Sequence, residues 1–433
     1  MASAQRTALR RVAVGSVALL DNTVNISYVT AKLLRRAGVD VAFVQQGGAP
    51  FNQQPVWEDE DIVETTENGS PAPRSGYWER RETKLGWQRP DWVVRPSLGV
   101  GALAAFPAAA RRVARAVPVP LVPFGLAIAA KELAVVAAAS RRDFIVALGP
   151  AAAQAYLTGR RYAVVVTGWD VRELPFLTGA RSPLLRARAW LQRAALAHAE
   201  TLLVQPASDL PHLRRLGLAD RARPFNIPVD LEGYAAITPG PSIEVFGAAI
   251  ARKARGKVLF FAPARVDFAI KRTDVLVEAF AAVARRAPAH LVVLEWGPDV
   301  PRARSMVRDL GLEQDVSFLP CVMSKVRLVR ALKLADVIAD QFLYTAYGSL
   351  TREVLACGRP LVSSYDPAEP QPHDPDDPAP ILSARTVAEV ADACVALLDP
   401  AERERRGRAA REWTARQNAS SMATLGAVLG RTA

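Results

Sequence analysis

The sequence predicts an α/β protein made of two doubly wound parallel-sheet domains. Three observations carry that reading. The chain of 433 residues is too long for one ordinary domain and suits two or three. In its second half, short apolar runs alternate with amphipathic helical patterns, as strand–helix–strand crossovers of a parallel sheet do. Between Arg223 and Gly256 the pattern breaks at Pro224, Pro228, Pro239, Gly240 and Pro241, which places the domain boundary there. The expected division is a first domain over 1–228, a linker over 229–255, a second domain over 256–416 and a last helix over 417–433.

Composition narrows the function. Half the residues are hydrophobic, enough for sizeable cores. The three cysteines, Cys321, Cys357 and Cys394, have neither zinc spacing nor the even count of a disulfide framework, so a reducing compartment is the simpler expectation. Four scattered histidines point to no metal site. The net charge of +12 suggests a polyanionic neighbour, whether nucleic acid, an anionic membrane surface or a phosphorylated substrate. No recognisable nucleic-acid module accompanies that charge, so nucleic acid is not expected as a partner. Arg10 and Arg11 precede an apolar run over 12–20 that resembles a signal peptide, but the run is short and ends at Asp21, so a buried first strand is the better reading. The apolar stretch 116–130 contains Pro118, Pro120 and Pro123 and is too short to span a membrane.

Along the first half, 12–20 reads as a strand, the loop carries Asn22 and Asn25, a helix runs through 31–37 to Gly38, and the next strand follows over 39–44. Residues 47–89 are polar, with Gly, Pro, Glu and Trp and no clear period, and read as a long loop. Its Trp57, Trp78 and Trp87 are expected to pack onto their own domain, with acceptor contact as the alternative. Arg111, Arg112 and Arg115 fall within one turn of each other beside apolar residues, which fits a membrane-facing surface and equally a helix with a solvated basic edge. Strands are expected at 92–95, 143–148, 162–166 and 201–205. Thr167-Gly168-Trp169-Asp170 follows the third of these, at the carboxyl end of a parallel strand, where open α/β sheets bind ligands. An Asp there is otherwise most often a helix cap.

In the second half, strands are expected at 258–262, 291–295, 316–319, 337–340 and 361–364, with helices at 273–286, 302–310, 325–334 and 349–357 between them. Amphipathic helices over 387–417 and 420–429 close the chain. Arg265 and Lys271 lie in the loop after the first of these strands and could neutralise a pyrophosphate. Around 344–362 the chain reads as a loop, a short helix and a buried strand. Gly348 is expected to turn sharply and Ser349 to cap a helix whose free N–H groups suit a phosphate. Glu353 shares a face with that start, Leu350, Val354 and Leu355 give the apolar face, and Gly358 with Pro360 stops the helix.

The run Tyr347-Gly348, then Glu353, then Ala356-Cys357-Gly358-Arg359-Pro360-Leu361-Val362 resembles the nucleotide-sugar motif of retaining glycosyltransferases of the family-four type. Those enzymes have two facing Rossmann-like domains, the GT-B fold. The resemblance covers nearly all of the second domain and the ends of the first. It implies that Arg265 and Lys271 hold the donor diphosphate and stabilise the leaving nucleotide, and that Gly297, Tyr347 and the N–H groups of Gly348, Ser349 and Leu350 border the donor. It implies that the loop 322–325 reads the base, that Glu353 grips the ribose, and that the last helix crosses back to the first domain. Asp170 matches the acid of a His-Gly-x-Asp motif that meets acceptor and sugar, with Thr167 where histidine is usual. Of two glutamates eight residues apart, Glu353 matches the second, and Thr345 stands at the first. Pro228-Val229-Asp230 resembles the exit from the first domain.

The leading expectation is therefore a metal-independent retaining transferase, with a nucleotide sugar as co-substrate, no cofactor, and an unassigned acceptor that could be a glycan, a lipid-linked group or a small molecule. It is expected in the cytoplasm, peripheral to the inner membrane face. The competing expectation, which Thr167 and Thr345 favour, is a catalytically impaired protein of the same fold that binds a nucleotide or glycan as partner of an active enzyme.

Overall fold

The computed structural model describes residues 14–45, 53–66, 82–205, 207–345, 348–366 and 377–430. The start of the predicted first strand, much of the polar loop with Trp78, and most of the Pro- and Asp-rich loop before Pro380 lie outside them.

In the first domain β1 (Ser16–Leu20) and β2 (Asp40–Val44) flank a helix, α1 (Ile26–Arg36), longer at its start than expected. A short helix, α2 (Pro55–Asp59), and β3 (Val63–Thr65) follow, then β4 (Val93–Val94), β5 (Phe144–Leu148), β6 (Arg161–Val165), β7 (Thr201–Val204) and β8 (Ala222–Pro224). Seven of these strands form one parallel sheet in the order β4-β2-β1-β5-β6-β7-β8. Helices cover both faces, so the interior strands are apolar over most of their length: Val17 and Leu19 enter one core, Ala18 and Leu20 the other.

The second domain repeats the design. Its strands β9 (Val258–Ala262), β10 (Ala289–Leu294), β11 (Val316–Leu319), β13 (Val337–Ala339), β14 (Leu361–Ser363) and β15 (Leu382–Ser383) form a parallel sheet in the order β11-β10-β9-β13-β14-β15. Phe260 and Phe261 point to opposite cores. Between β11 and β13 come the short β12 (Cys321–Met323) and a helix, α3 (Lys325–Leu334), and α4 (Ser349–Ala356) precedes β14. The segment expected as a linker holds three short helices, and its Val229, Tyr234, Val245, Phe246 and Ile250 pack into the core that contains Phe261.

Two expectations are corrected. The polar loop is not structureless, nor confined to its own domain: β3 leaves the first sheet and pairs antiparallel with β12 of the second domain. Trp57 packs with Val56 and Ile62 against Val322, so burial of these apolar groups drives the crossing. The break expected near residues 418–419 is absent. Pro400–Leu429 is one helix, α5, and the break falls between it and the helix Val387–Ala396. The polar run reads as a helix end but is a junction: Asn418 accepts the Val229 N–H (3.1 Å) and donates to its carbonyl (2.6 Å), while the Ser421 hydroxyl accepts the Asn226 N–H (3.0 Å). Ala410 and Trp413 enter the second domain's core, and Met422, Leu425, Val428 and Leu429 enter the first domain's.

Candidate functional site

A cavity of about 410 Å³ opens between the domains, within the range of small-ligand sites. The loops after β9 and β13, the α3 and α4 starts and β12 border it from the second domain, and Val24, Asn25 and Trp57 from the first. Arg265, Lys271, Gly348, Ser349, Leu350 and Glu353, far apart in sequence, all line it. Tyr347 lies outside the described residues.

Asp267 shapes the cationic loop. Its carboxylate accepts the N–H groups of Ala269 (3.1 Å) and Ile270 (2.9 Å) and pairs with Arg265 (2.8 Å), and its carbonyl accepts the Lys271 N–H (2.8 Å). Lys271 Nζ donates to Gln341 Oε1 at 2.9 Å. Arg265 Nε is buried without a hydrogen-bond partner. Gly297 does not itself line the cavity. It stands behind the loop with φ of 122°, where a Cβ would collide with the Val266 backbone and the Arg265 side chain. This approach lets the Val266 N–H reach the Trp296 carbonyl at 2.7 Å. Gly297 thus supports Arg265 from behind.

At α4, Gly348 and not Ser349 is the N-cap, so the cap falls one position earlier than expected and Ser349 is the first helical residue. Gly348 has φ of −101° and nothing within 4 Å of a hypothetical Cβ, so no sharp glycine turn is needed. The first-turn N–H groups still lack helical partners and border the cavity. Glu353 is not a surface acid. It is 8% exposed and ion-paired with Lys325, because α3 and α4 meet at this corner of the cavity. Glu58 of α2 completes the cluster. Burial raises its carboxyl to about 7, opposed by Lys325 and reinforced by Glu353. Burial alone would lower Lys325, but Glu353 and Glu58 hold it above its ordinary value.

Residues 256–400 match the sequence model of the family described as Glycosyl transferases group 1. The match covers most of the second domain. D-inositol 3-phosphate glycosyltransferases are among the relatives: that of Saccharomonospora viridis is 32% identical over 200 residues, 43% of this chain and 45% of the relative, and that of Mycolicibacterium smegmatis is 28% identical over 193 residues, 43% and 42%. The matches span less than half the length of these curated relatives. Anabaena HepE in complex with UDP and glucose shares the fold at 13% identity and a TM-score of 0.57, over 95% of this chain and 98% of that one. Sucrose-phosphate synthase from Thermosynechococcus elongatus does so at 15% identity and a TM-score of 0.53, over 95% and 96%. The two facing parallel sheets are thus the GT-B fold.

In the first domain, Asp170 stands in the loop after β6. It is fully buried and does not line the cavity. Its Oδ1 accepts both the N–H and the hydroxyl of Thr167 at 2.9 Å, which closes the loop after β6 on itself. Burial raises its carboxyl to about 6 against those two hydrogen bonds. Sequence reasoning did not single out Asp340. Asp340 lines the cavity after β13 with Oδ1 unpartnered and Oδ2 accepting from Thr351 (3.2 Å); burial raises its pKa and Lys271 opposes the rise. Its signal was its position at a strand end just before the motif. Asn25, in a left-handed conformation (φ 59°) that asparagine tolerates, reaches the cavity from the loop after β1.

Proposed function

We propose that the protein transfers a glycosyl group from a nucleotide-sugar donor to an acceptor, with retention of configuration and without a metal ion. The observation that carries this is the convergence of Arg265, Lys271 and the α4 start on one interdomain cavity beside a group 1 domain. Expulsion of a nucleoside diphosphate builds negative charge on the departing phosphate, and fixed cations with helix N–H groups stabilise it without reorganising. Both cations are already present where a metal would otherwise supply charge. The test incubates the protein with a panel of nucleotide sugars, with water or inositol 3-phosphate as acceptor, and follows nucleoside diphosphate release and the anomeric configuration of the sugar by NMR. Release that persists in excess chelator with the donor's configuration retained supports the reading; release abolished by the chelator removes metal independence.

A second reading is a nucleotide- or glycan-binding partner without turnover. It is favoured by Thr167 and Thr345 and by Lys325 engaging the Glu353 carboxylate. Tight binding of a nucleotide sugar with no hydrolysis over a day would select it.

We also propose that the protein works at the cytoplasmic face of an anionic membrane. No single described helix is long and apolar enough to cross a membrane. The support is the exposed Leu98, Val100, Leu103 and Val119 in the same region as the exposed Arg111 and Arg115 of the helix Phe106–Ala116. Arg112 is instead partly buried over the Tyr156 ring. Each surface cation near anionic lipid contributes about 1 kcal/mol. Flotation with anionic and neutral vesicles tests it, and equal recovery with both overturns it.

A further inference from the structure

Residues 53–66 form a strap from the first domain to the second. Its root is held by the asparagines of the loop after β1: Asn22 Nδ2 donates to the Gln53 carbonyl (2.7 Å) and Asn25 Nδ2 to that of Gln54 (3.3 Å). In the middle, Asp59 receives Tyr28 and Lys32 of α1. At the far end Ile62 exchanges hydrogen bonds with Ser324, its N–H reaching the hydroxyl and its carbonyl accepting the Ser324 N–H (both 2.9 Å), and β3 pairs with β12. Asp61 receives Arg327 (2.5 Å) and Arg330 (2.6 Å) of α3. The strap is thus fastened to the same strand and helix start that present Val322, Met323 and Lys325 to the cavity.

Trp57 is the strap's contribution to that cavity. It is 4% exposed and clusters with Val56, Ile62 and Val322, yet of the strap residues in this cluster it alone borders the cavity. With Trp296, Val322 and Met323 it makes an apolar wall, while Arg265 and Lys271 give the cavity its cations. A nucleotide has the matching division, an aromatic base at one end and a diphosphate at the other. We propose that Trp57 belongs to the nucleotide subsite: its indole is part of the wall against which the donor's base rests, so the first domain completes a subsite that the second leaves open. The inference rests on the nucleotide-sugar reading above. It makes Trp57 a contact for the base and not for the phosphates, and it ties base recognition to the strap.

The experiment begins with the parent protein. Calorimetry with UDP, GDP, ADP and CDP, and with inorganic pyrophosphate, establishes whether a nucleoside diphosphate binds. If none does, the donor reading itself fails. If one does, Trp57→Ala should weaken it about ten- to a hundredfold, the scale of one lost base–aromatic contact. Pyrophosphate affinity should stay within about twofold, since the phosphate contacts remain. Trp57→Phe should recover most of the loss. Nucleoside diphosphate affinity unchanged in Trp57→Ala, or lost in step with that for pyrophosphate, overturns the inference. Should Trp57→Ala not fold, photolabelling of the parent with an azido-base analogue of the bound nucleotide decides: label on the peptide 53–66 supports the contact, and label confined to the second domain overturns it.

Discussion

The loops after β6 and after β9 occupy matching places, each at the carboxyl end of an interior strand in a parallel sheet. Their chemistry runs opposite ways. In the loop after β6 Asp170 turns inward and spends Oδ1 on Thr167 of the same loop. In the loop after β9 Asp267 also bonds its own loop, but that leaves Arg265 and Lys271 at the cavity, with Arg265 Nε unpartnered. Position at a strand end therefore offers a place for a site; whether its charged side chains border the cavity or are buried distinguishes the two loops.

The sharpest test of that contrast pairs two variants. Arg265→Ala with Lys271→Ala should lower nucleoside diphosphate affinity about a thousandfold, since each removes a charged hydrogen bond of roughly 1.5–3 kcal/mol. Asp170→Ala should leave it within about twofold. Calorimetry reads both, and an Asp170→Ala loss as large as the double variant's would erase the distinction between the loops.

Next in size is Glu353→Gln. Because Glu353 is buried against Lys325, the variant strands a buried ammonium beside a neutral amide and should cost about 3 kcal/mol in urea unfolding. An unchanged unfolding midpoint would show that the Glu353–Lys325 pair contributes nothing to stability.

Glu58 sharpens the same corner through pH. Its folded-state carboxyl stands at about 7 against an ordinary 4.5, chiefly through burial. The raised value means its contribution is intact below pH 4.5 and is lost as pH rises through 7, because the unfolded chain releases the proton more readily. The loss is on the order of 3 kcal/mol. Glu58→Gln should remove that slope, so the variant gains on the parent between pH 5 and pH 8 in urea melts; parallel curves would place the Glu58 carboxyl in water.

The smallest effect belongs to Asp170 itself. Asp170→Ala removes two buried hydrogen bonds to Thr167 and should lower stability by about 1–3 kcal/mol, with Asp170→Asn milder because its carbonyl oxygen still accepts. Equal melting temperatures for the parent and the alanine variant would show that the loop closes without it.

These contrasts also mark what the sequence could reveal. Strands buried on both faces read as continuous apolar runs, so 291–294 and 361–363 are visible without any partner. The convergence of Arg265 and Lys271 with α4 is legible because a parallel sheet brings successive strand ends to one edge. The strap is not. Its strand is three residues long, too short for a period, and its far-end bonds to Ser324 span 262 positions. The Glu353–Lys325 pair is hidden for a related reason: the face of an isolated helix says nothing of what packs against it. The burial of Asp170 beneath Thr167 is hidden too, because residue types do not record which way a side chain turns.

The last turns of α5 have one more consequence. Met422, Leu425, Val428 and Leu429 share a core with Val17 and Phe43, near the opposite end of the chain. Those four side chains follow both sheets in sequence, so synthesis supplies them only after every strand is made. The first domain is therefore completed after the second: its strands are made early but keep an apolar slot open until α5 follows. Synthesis that stops after residue 420 yields a polypeptide whose first-made half, not its last-made half, is the part exposed to aggregation.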